Sequence, residues 1–178
     1  MKRTIHKWFW VWDFDKEERW LNEMSAKGLQ LCGVGYFRYT FEEGTPGEYI
    51  YRLEMLDDWP TSAAGMQYIH FLEDTGAEHI GSLLRWVYFR KKAGDIGFDL
   101  FSDIDSRIRH LNRILFLTGI LAALNLFNGF NSLLNSFSHG ITVVAALICT
   151  SIGLILSCGS LRIYLKRRHL KKEKVLHE

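Results

Sequence analysis

The chain has 178 residues, of which 48% are hydrophobic, 14% aromatic and 24% charged, and its formal net charge is +2. This composition excludes a disordered tail, a collagen-like repeat and a disulfide-rich secreted scaffold. The charge is unevenly divided: residues 1–105 hold 12 Lys and Arg against 18 Asp and Glu, a net of −6, whereas residues 106–178 hold 10 against 2, a net of +8. Such an asymmetry predicts two regions in two environments.

The N-terminal half begins with a strand pattern followed by a helix pattern. Large apolar side chains alternate along Lys7–Asp13, which predicts the first strand. A helix is expected from Asp15, with Glu18 as its capping-box partner, and Gly28 suits the left-handed position that ends helices. Leu29–Phe41 then reads as one long strand, which its glycines can bend or bulge.

A second strand, helix and strand follow in the same order. Tyr49–Met55 predicts a strand, Pro60-Thr61-Ser62 the start of a helix that Gly76 ends, and Ile80–Phe89 the last strand. The two helix-ending glycines lie 48 residues apart, which indicates an internal repeat. We therefore expect residues 1–96 to form an α+β domain of ferredoxin-like βαββαβ topology. Right-handed crossovers would place both helices on one face of a four-stranded antiparallel sheet.

The C-terminal half predicts a two-helix transmembrane hairpin. The 48 residues between Arg113 and Arg162 contain no Asp, Glu, Lys or Arg, and one span needs about 20 apolar residues. We place the spans at 114–134 and 141–161, with an extracytoplasmic turn at 135–140. Residues 97–113 are expected to form a linker helix continuous with the first span, and residues 162–178 a basic cytoplasmic tail.

Basic residues near the span ends predict the orientation. Lys and Arg precede the first span and follow the second, and the turn between them has none. Both termini are therefore expected in the cytoplasm, in a two-span protein of the cell membrane. The apolar run after the basic start, Trp8–Trp12, is too short for a signal-peptide core, which agrees with a domain that is not exported.

Polar and small side chains inside the spans predict helix packing. The candidates for transmembrane packing are Asn125, Asn128, Asn131, Gly153 and Ser157. Buried amides need hydrogen-bond partners in hydrocarbon, and small residues let helices approach. We expect either a hairpin that satisfies its own amides or an oligomer seam. A polar solute pathway is disfavoured, because two helices enclose no lumen without oligomerisation. The residues expected to hold anionic lipid headgroups are Arg162, Lys166, Arg167 and Arg168.

Several short stretches resemble one bacterial membrane family, the domain of unknown function 2812. The matching residues are Phe14, Trp20-Leu21-Asn22, Met24, Gly28, Tyr39, Phe41, Glu48, Tyr49-Ile50-Tyr51-Arg52, Phe71-Leu72-Glu73-Asp74, Gly76, Trp86-Val87-Tyr88-Phe89-Arg90 and Leu100-Phe101-Ser102. The resemblance covers roughly residues 7–113, and the family carries C-terminal hydrophobic spans. Its usual Gly-Trp pair after the second helix is Gly76-Ala77 here. Members are often encoded beside PadR-like transcriptional regulators, which implies a regulatory partner, and the family supplies no catalytic residues.

Catalytic, cofactor and metal signatures are weak throughout the chain. The seven histidines show no metal-ligand spacing, and Gly33-Val34-Gly35 lacks the third glycine of a dinucleotide loop. We therefore expect no enzyme, no cofactor and no metal. Direct nucleic-acid binding is disfavoured, because the acidic domain repels phosphates.

Aromatic and arginine side chains alternate along the later strands. The candidate ligand or partner surface comprises Tyr49, Tyr51, Arg52, Arg85, Trp86, Tyr88 and Arg90. These rings either form an open face of the sheet or pack beneath the helices or beneath the segment at 97–105. The first hypothesis is a membrane-anchored cytoplasmic regulatory module that acts with a protein partner, such as a PadR-like regulator, or with a second copy of the chain. The alternative is a sensor domain that binds a small amphipathic ligand on its aromatic sheet.

Overall fold

The fold is described from a computed structural model, which covers residues 2–94, 104–134 and 140–177, with side chains at 2–94, 107–134 and 143–172. The chain divides into two units, Met1–Ser102 and Asp103–Glu178. The first is a mixed α+β unit and the second is a pair of long helices, as expected from the sequence.

The first unit contains two helices and six strands. The helices are α1 (Phe14–Ala26) and α2 (Ala63–Asp74), and a short 3₁₀ helix, Val11–Asp13, precedes α1. The strands are β1 (Lys2–His6), β2 (Leu29–Gly35), β3 (Arg38–Glu43), β4 (Tyr49–Met55), β5 (Glu78–Leu83) and β6 (Trp86–Lys92). The second unit consists of α3 (Ile104–Leu134) and α4 (Gly140–His177).

The expected single four-stranded ferredoxin-like sheet is not confirmed. The described strands form two separate antiparallel sheets, with strand orders β1-β3-β2 and β4-β6-β5. Each half of the unit is therefore a β-α-β-β module, and the second module repeats the topology of the first.

The difference arises because each expected long strand is a hairpin. Leu29–Phe41 turns at Tyr36-Phe37, and Ile80–Phe89 turns at Leu84-Arg85. Phe37 and Leu84 adopt a φ of 55°, which is uncommon for large side chains. Neither turn contains the Gly, Asn or Pro that announces a hairpin, so the sequence pattern does not reveal them.

The expected strand at Lys7–Asp13 was wrong. The first strand lies earlier, at Lys2–His6, and pairs with β3 until His6 faces Arg38. The segment Lys7–Trp10 extends past the start of β3, where the amide of Lys7 donates to the carbonyl of Phe37. Its aromatic alternation therefore does not reflect a sheet.

The internal repeat is confirmed and is more complete than the sequence indicated. Gly28 and Gly76 both take the left-handed conformation after a helix, with φ of 79° and 87°. Each following hairpin has a register shift, between Leu31 and Gly33 in the first and between His79 and Gly81 in the second. The two bulges thus carry glycines with the same 48-residue spacing.

The sheet β4-β6-β5 is covered on both faces, which agrees with the alternative in which its rings pack beneath the helices. Tyr51, Leu53 and Tyr88 pack into the larger core with Leu21 and Met24 of α1. The intervening residues of β6 point to the opposite face, where Val87 and Phe89 pack with Ile69 and Leu72 of α2.

Helix α1 also covers the free edge of β4. The amide of Asn22 donates to the carbonyl of Tyr51 (3.1 Å) and accepts from the amide of Tyr51 (2.8 Å). The hydroxyl of Ser25 donates to the carbonyl of Tyr49, and Glu18 accepts from the amide of Leu53. Three side chains at helical spacing therefore replace a neighbouring strand. Glu18 binds this edge, and α1 begins at Phe14 without a side-chain cap.

The helices of the second unit pack against each other. The two segments that are long and apolar enough to cross a membrane are Arg107–Leu134 and Val143–Lys172, and they contain most of the expected spans 114–134 and 141–161. Helix α3 confirms that residues 104–113 are continuous with the first span, and α4 continues into the basic tail. Residues 97–103 of the expected linker and 135–139 of the turn lie outside the described residues.

Candidate functional site

The first unit contains a cavity of about 80 Å³ whose wall is mainly aromatic. It forms where the segment after β1 meets the first turns of α1, the β2–β3 turn and the end of the second hairpin. Its lining residues are Lys7, Phe9, Trp10, Val11, Phe14, Glu17, Phe37, Tyr39, Leu83, Trp86 and Tyr88. We call it the aromatic cavity. Apolar walls with a few polar groups are typical of small-molecule sites.

Glu17 is the acidic residue of the aromatic cavity. It lies one helical turn before Leu21 on the buried side of α1 and is 8% exposed. Its Oε1 accepts a hydrogen bond from the hydroxyl of Tyr39 and another from Tyr88, each at 2.7 Å. Both sheets therefore hold this carboxyl group in place, one through β3 and the other through β6.

Burial dominates the electrostatics of this cluster. Desolvation raises the pKa of Glu17 above its usual value, although the hydrogen bonds from Tyr39 and Tyr88 oppose that shift. Burial and the nearby Glu17 carboxylate raise the pKa of both tyrosines, so their hydroxyls stay protonated and act as donors. No Lys, Arg or His forms an ion pair with Glu17 in the part of the chain that the structure describes.

Further aromatic rings contact the residues that line the aromatic cavity. Trp8 is 53% exposed and stacks on Phe37, which is 48% exposed, with ring centroids 4.2 Å apart. Trp10 stacks on Trp12 at 4.9 Å. The ammonium group of Lys7, another lining residue, lies 4.5 Å from the ring centroid of Trp20. These contacts extend the apolar surface beyond the lining and place one cation against an aromatic ring.

The structure brings two of the seven candidate surface residues, Trp86 and Tyr88, to the aromatic cavity. Tyr51 is buried, where its hydroxyl accepts from the amide of Leu31 and donates to Gln30. The guanidinium group of Arg90 lies over the ring of Tyr49, at 4.3 Å.

The remaining candidate arginines make separate contacts. Arg90 pairs with Glu78, and Arg52 with Glu18. Arg85 donates to the carbonyl of Leu56. The seven residues therefore do not form one surface.

Most of the cavity residues were missed by sequence reasoning. The signal for Glu17 is present, since a carboxylate occupies the apolar stripe that Leu21 and Met24 continue. No local pattern points to Phe37 or Tyr39, because the hairpin that carries them was not recognised.

The packing candidates of the second unit have different environments. A Cβ atom added to Gly153 would lie 2.7 Å from side-chain atoms of Leu126, so the helices are in close contact there. Ser157 and Asn125 each donate to a carbonyl of their own helix, whereas the side chains of Asn128 and Asn131 are exposed.

A hydrogen bond between α3 and α4 was not anticipated. The hydroxyl of Ser160 donates to that of Thr118 at 2.9 Å. Of the basic headgroup candidates on α4, Arg162 and Arg168 are exposed, and Lys166 and Arg167 are half-buried.

Among the residues that the structure describes, no group of three or more His, Cys, Asp or Glu side chains could hold a metal ion.

Comparison with curated proteins and with solved structures finds no match. Residues 13–123, more than half of the chain, match the family described as "Protein of unknown function (DUF2812)". The chain therefore belongs to the DUF2812 family.

Proposed function

We propose that this protein is a membrane-anchored sensor whose first unit binds a small amphipathic molecule in the aromatic cavity. The observation that carries this proposal is a cavity walled by aromatic rings around one buried carboxyl group. Ligand binding is favoured because Glu17 accepts hydrogen bonds from two tyrosines within a lining that is mainly aromatic.

The size and surroundings of the cavity support an amphipathic ligand. At about 80 Å³ it is smaller than the engineered cavities of about 150 Å³ that bind benzene, so it admits a small group. The rest of the ligand would lie across the exposed rings of Trp8, Trp10 and Phe37. Such exposed apolar clusters in water typically mark binding surfaces.

The second unit supports a location at the bilayer. Large apolar side chains of its helices are exposed, including Phe116, Phe127, Leu147 and Leu154. The hydrocarbon of a bilayer would cover these side chains. The Lys and Arg that precede the first span and follow the second favour a cytoplasmic location of both termini. A receptor that is anchored in the membrane is close to the bilayer, where amphipathic molecules concentrate.

A PadR-like regulator as the downstream partner of this sensor stays a prediction from the family resemblance.

Ligand binding is tested with 2-phenylethanol, a neutral and soluble amphipathic probe, added to the detergent-solubilised full chain. All six tryptophans lie within residues 1–102, so their fluorescence reports unfolding of the first unit. A bound probe raises the unfolding temperature, because ten times the Kd stabilises by about 1.4 kcal/mol.

Two neighbouring substitutions locate the binding site. Phe37→Ala removes a lining ring and is expected to weaken binding about fivefold or more, a loss of about 1 kcal/mol. Tyr36→Ala, in the same turn but outside the lining, is the matched control and is expected to bind like the wild type. Equal effects of the two substitutions, or no response of the wild type, would reject the proposed function.

A further inference from the structure

The charge of Glu17 has no structural use that the described contacts reveal. A glutamine at this position could accept the same two hydrogen bonds from Tyr39 and Tyr88 without carrying a charge. A buried carboxylate is costly unless a cation accompanies it, and no cationic side chain of the described residues pairs with Glu17. The cavity thus contains an acidic group that forms no ion pair with a basic side chain of the described residues.

The wall around Glu17 has the chemistry that recognises organic cations. Trp10, Trp86 and Phe14 line the same space, and the negative face of an aromatic ring attracts an ammonium group. The structure contains an internal example, since the ammonium group of the lining residue Lys7 lies 5.0 Å from the ring centroid of Phe9 and 4.5 Å from that of Trp20.

We propose that the aromatic cavity selects organic cations, and that Glu17 pairs with the ammonium group of the ligand. This inference rests on the proposed ligand-binding function and names the class of ligand. The cation enters between the rings, its apolar part stays against the aromatic wall, and the two tyrosine hydroxyls hold Glu17 in place. Lys7 lines the same cavity and competes for the aromatic surface.

The charged groups around Glu17 also define the expected pH dependence. Tyr39 faces it from β3, Tyr88 from β6, and Lys7 from the segment after β1. Because burial raises the pKa of Glu17, its neutral form persists to higher pH than that of a carboxyl group in water. Cation affinity is therefore expected to rise with pH as Glu17 loses its proton, while the two tyrosines keep theirs.

Three probes that share a phenyl ring and are similar in size separate the effect of charge on binding from the effect of shape. The full chain in detergent is titrated with 2-phenylethylammonium, 2-phenylethanol and phenylacetate, and the fluorescence of its tryptophans is followed. We expect 2-phenylethylammonium to bind about tenfold more tightly than 2-phenylethanol, because a hydrogen bond between two charged groups is stronger than one to a neutral hydroxyl. We expect phenylacetate to bind least tightly.

Substitutions at three positions assign the selectivity. Glu17→Gln is expected to bring the affinity for the cation to within about twofold of that for the alcohol. Glu23→Gln makes the same charge change at an exposed position of α1 and should keep the preference. Lys7→Gln removes the competing ammonium and should tighten cation binding, which keeps the proposal testable if Glu17→Gln does not fold.

Each outcome has one meaning. If the wild type binds the alcohol and the cation equally, the cavity binds ligands but the cation inference is wrong. Tightest binding of phenylacetate would assign the selectivity to Lys7 and also overturn it. If the wild type binds none of the three probes, the proposed function itself fails.

Discussion

Single side chains determine how the two modules of the first unit are joined. Glu17 accepts hydrogen bonds from β3 of one module and β6 of the other, and its partner Tyr88 is 71 residues away in sequence. The helical position of Glu17 is readable from the sequence, because it shares the stripe of Leu21 and Met24. Its partners are not readable, since they depend on two hairpins that lack turn residues.

Replacing Glu17 by Gln is expected to stabilise the first unit at neutral pH. Burial raises the pKa of Glu17 from a starting value of 4.5, so the folded state holds this proton more tightly than the unfolded state. The protonated Glu17 carboxyl therefore contributes stability that is fully present below its pKa in the unfolded state. This contribution is lost as the pH rises through its pKa in the folded state. Glutamine stays neutral at every pH.

This prediction is checked by thermal unfolding of both proteins from pH 4 to pH 8, without ligand. The unfolding temperature of the Gln variant relative to the wild type should increase with pH and then level off. Each unit by which folding raises the pKa of Glu17 changes the difference in unfolding free energy by about 1.4 kcal/mol. Glu23→Gln should show no such trend. A difference that is constant over the whole range would contradict the burial argument.

At the scale of elements, the edge of β4 depends on α1. Ser25, Asn22 and Glu18 lie along one side of this helix and bind backbone groups of Tyr49, Tyr51 and Leu53. The sequence indicated the helix and the strand correctly, yet it assigned Glu18 to a capping box. Only the packing of the helix along the strand explains these three polar side chains.

Asn22→Ala is expected to destabilise the first unit by about 1 to 3 kcal/mol, because the amide of Tyr51 loses its hydrogen-bond partner. The carbonyl of Tyr51 keeps the hydrogen bond that Arg52 donates to it. The measurement is urea unfolding of the full chain followed by tryptophan fluorescence. Glu23→Ala, at the next and exposed position of α1, is the control and should change stability by less than about 0.5 kcal/mol. Equal effects of the two variants would show that the edge contacts contribute little.

For the whole molecule, charge and hydropathy divide the chain at the same place as the fold. The acidic part coincides with the α+β unit, and the basic part with the apolar helices. The proposed topology follows from the basic residues, since Arg107, Arg109 and Arg113 precede one span and Arg162 and the tail follow the other.

Reporter fusions test this topology in intact cells. Alkaline phosphatase, which is active only outside the cytoplasm, is expected to be inactive when fused after Glu178 and active when inserted in the turn at 135–140. The untagged chain should stay with membranes during an alkaline carbonate wash. Release into the soluble fraction, or the opposite pattern of phosphatase activity, would reject the proposed arrangement.

The sequence by itself determined the features that depend on neighbouring residues. These include the two helices of the first unit, the glycines that end them, strand β4, the pair of long apolar helices and the family. Only the tertiary structure decided the hairpins, the two three-stranded sheets and the aromatic cavity. These features depend on contacts between residues that are distant in sequence. Phe37 and Leu84 adopt a left-handed backbone although neither is a glycine. Glu17 contacts Tyr39 and Tyr88 only when both modules fold together.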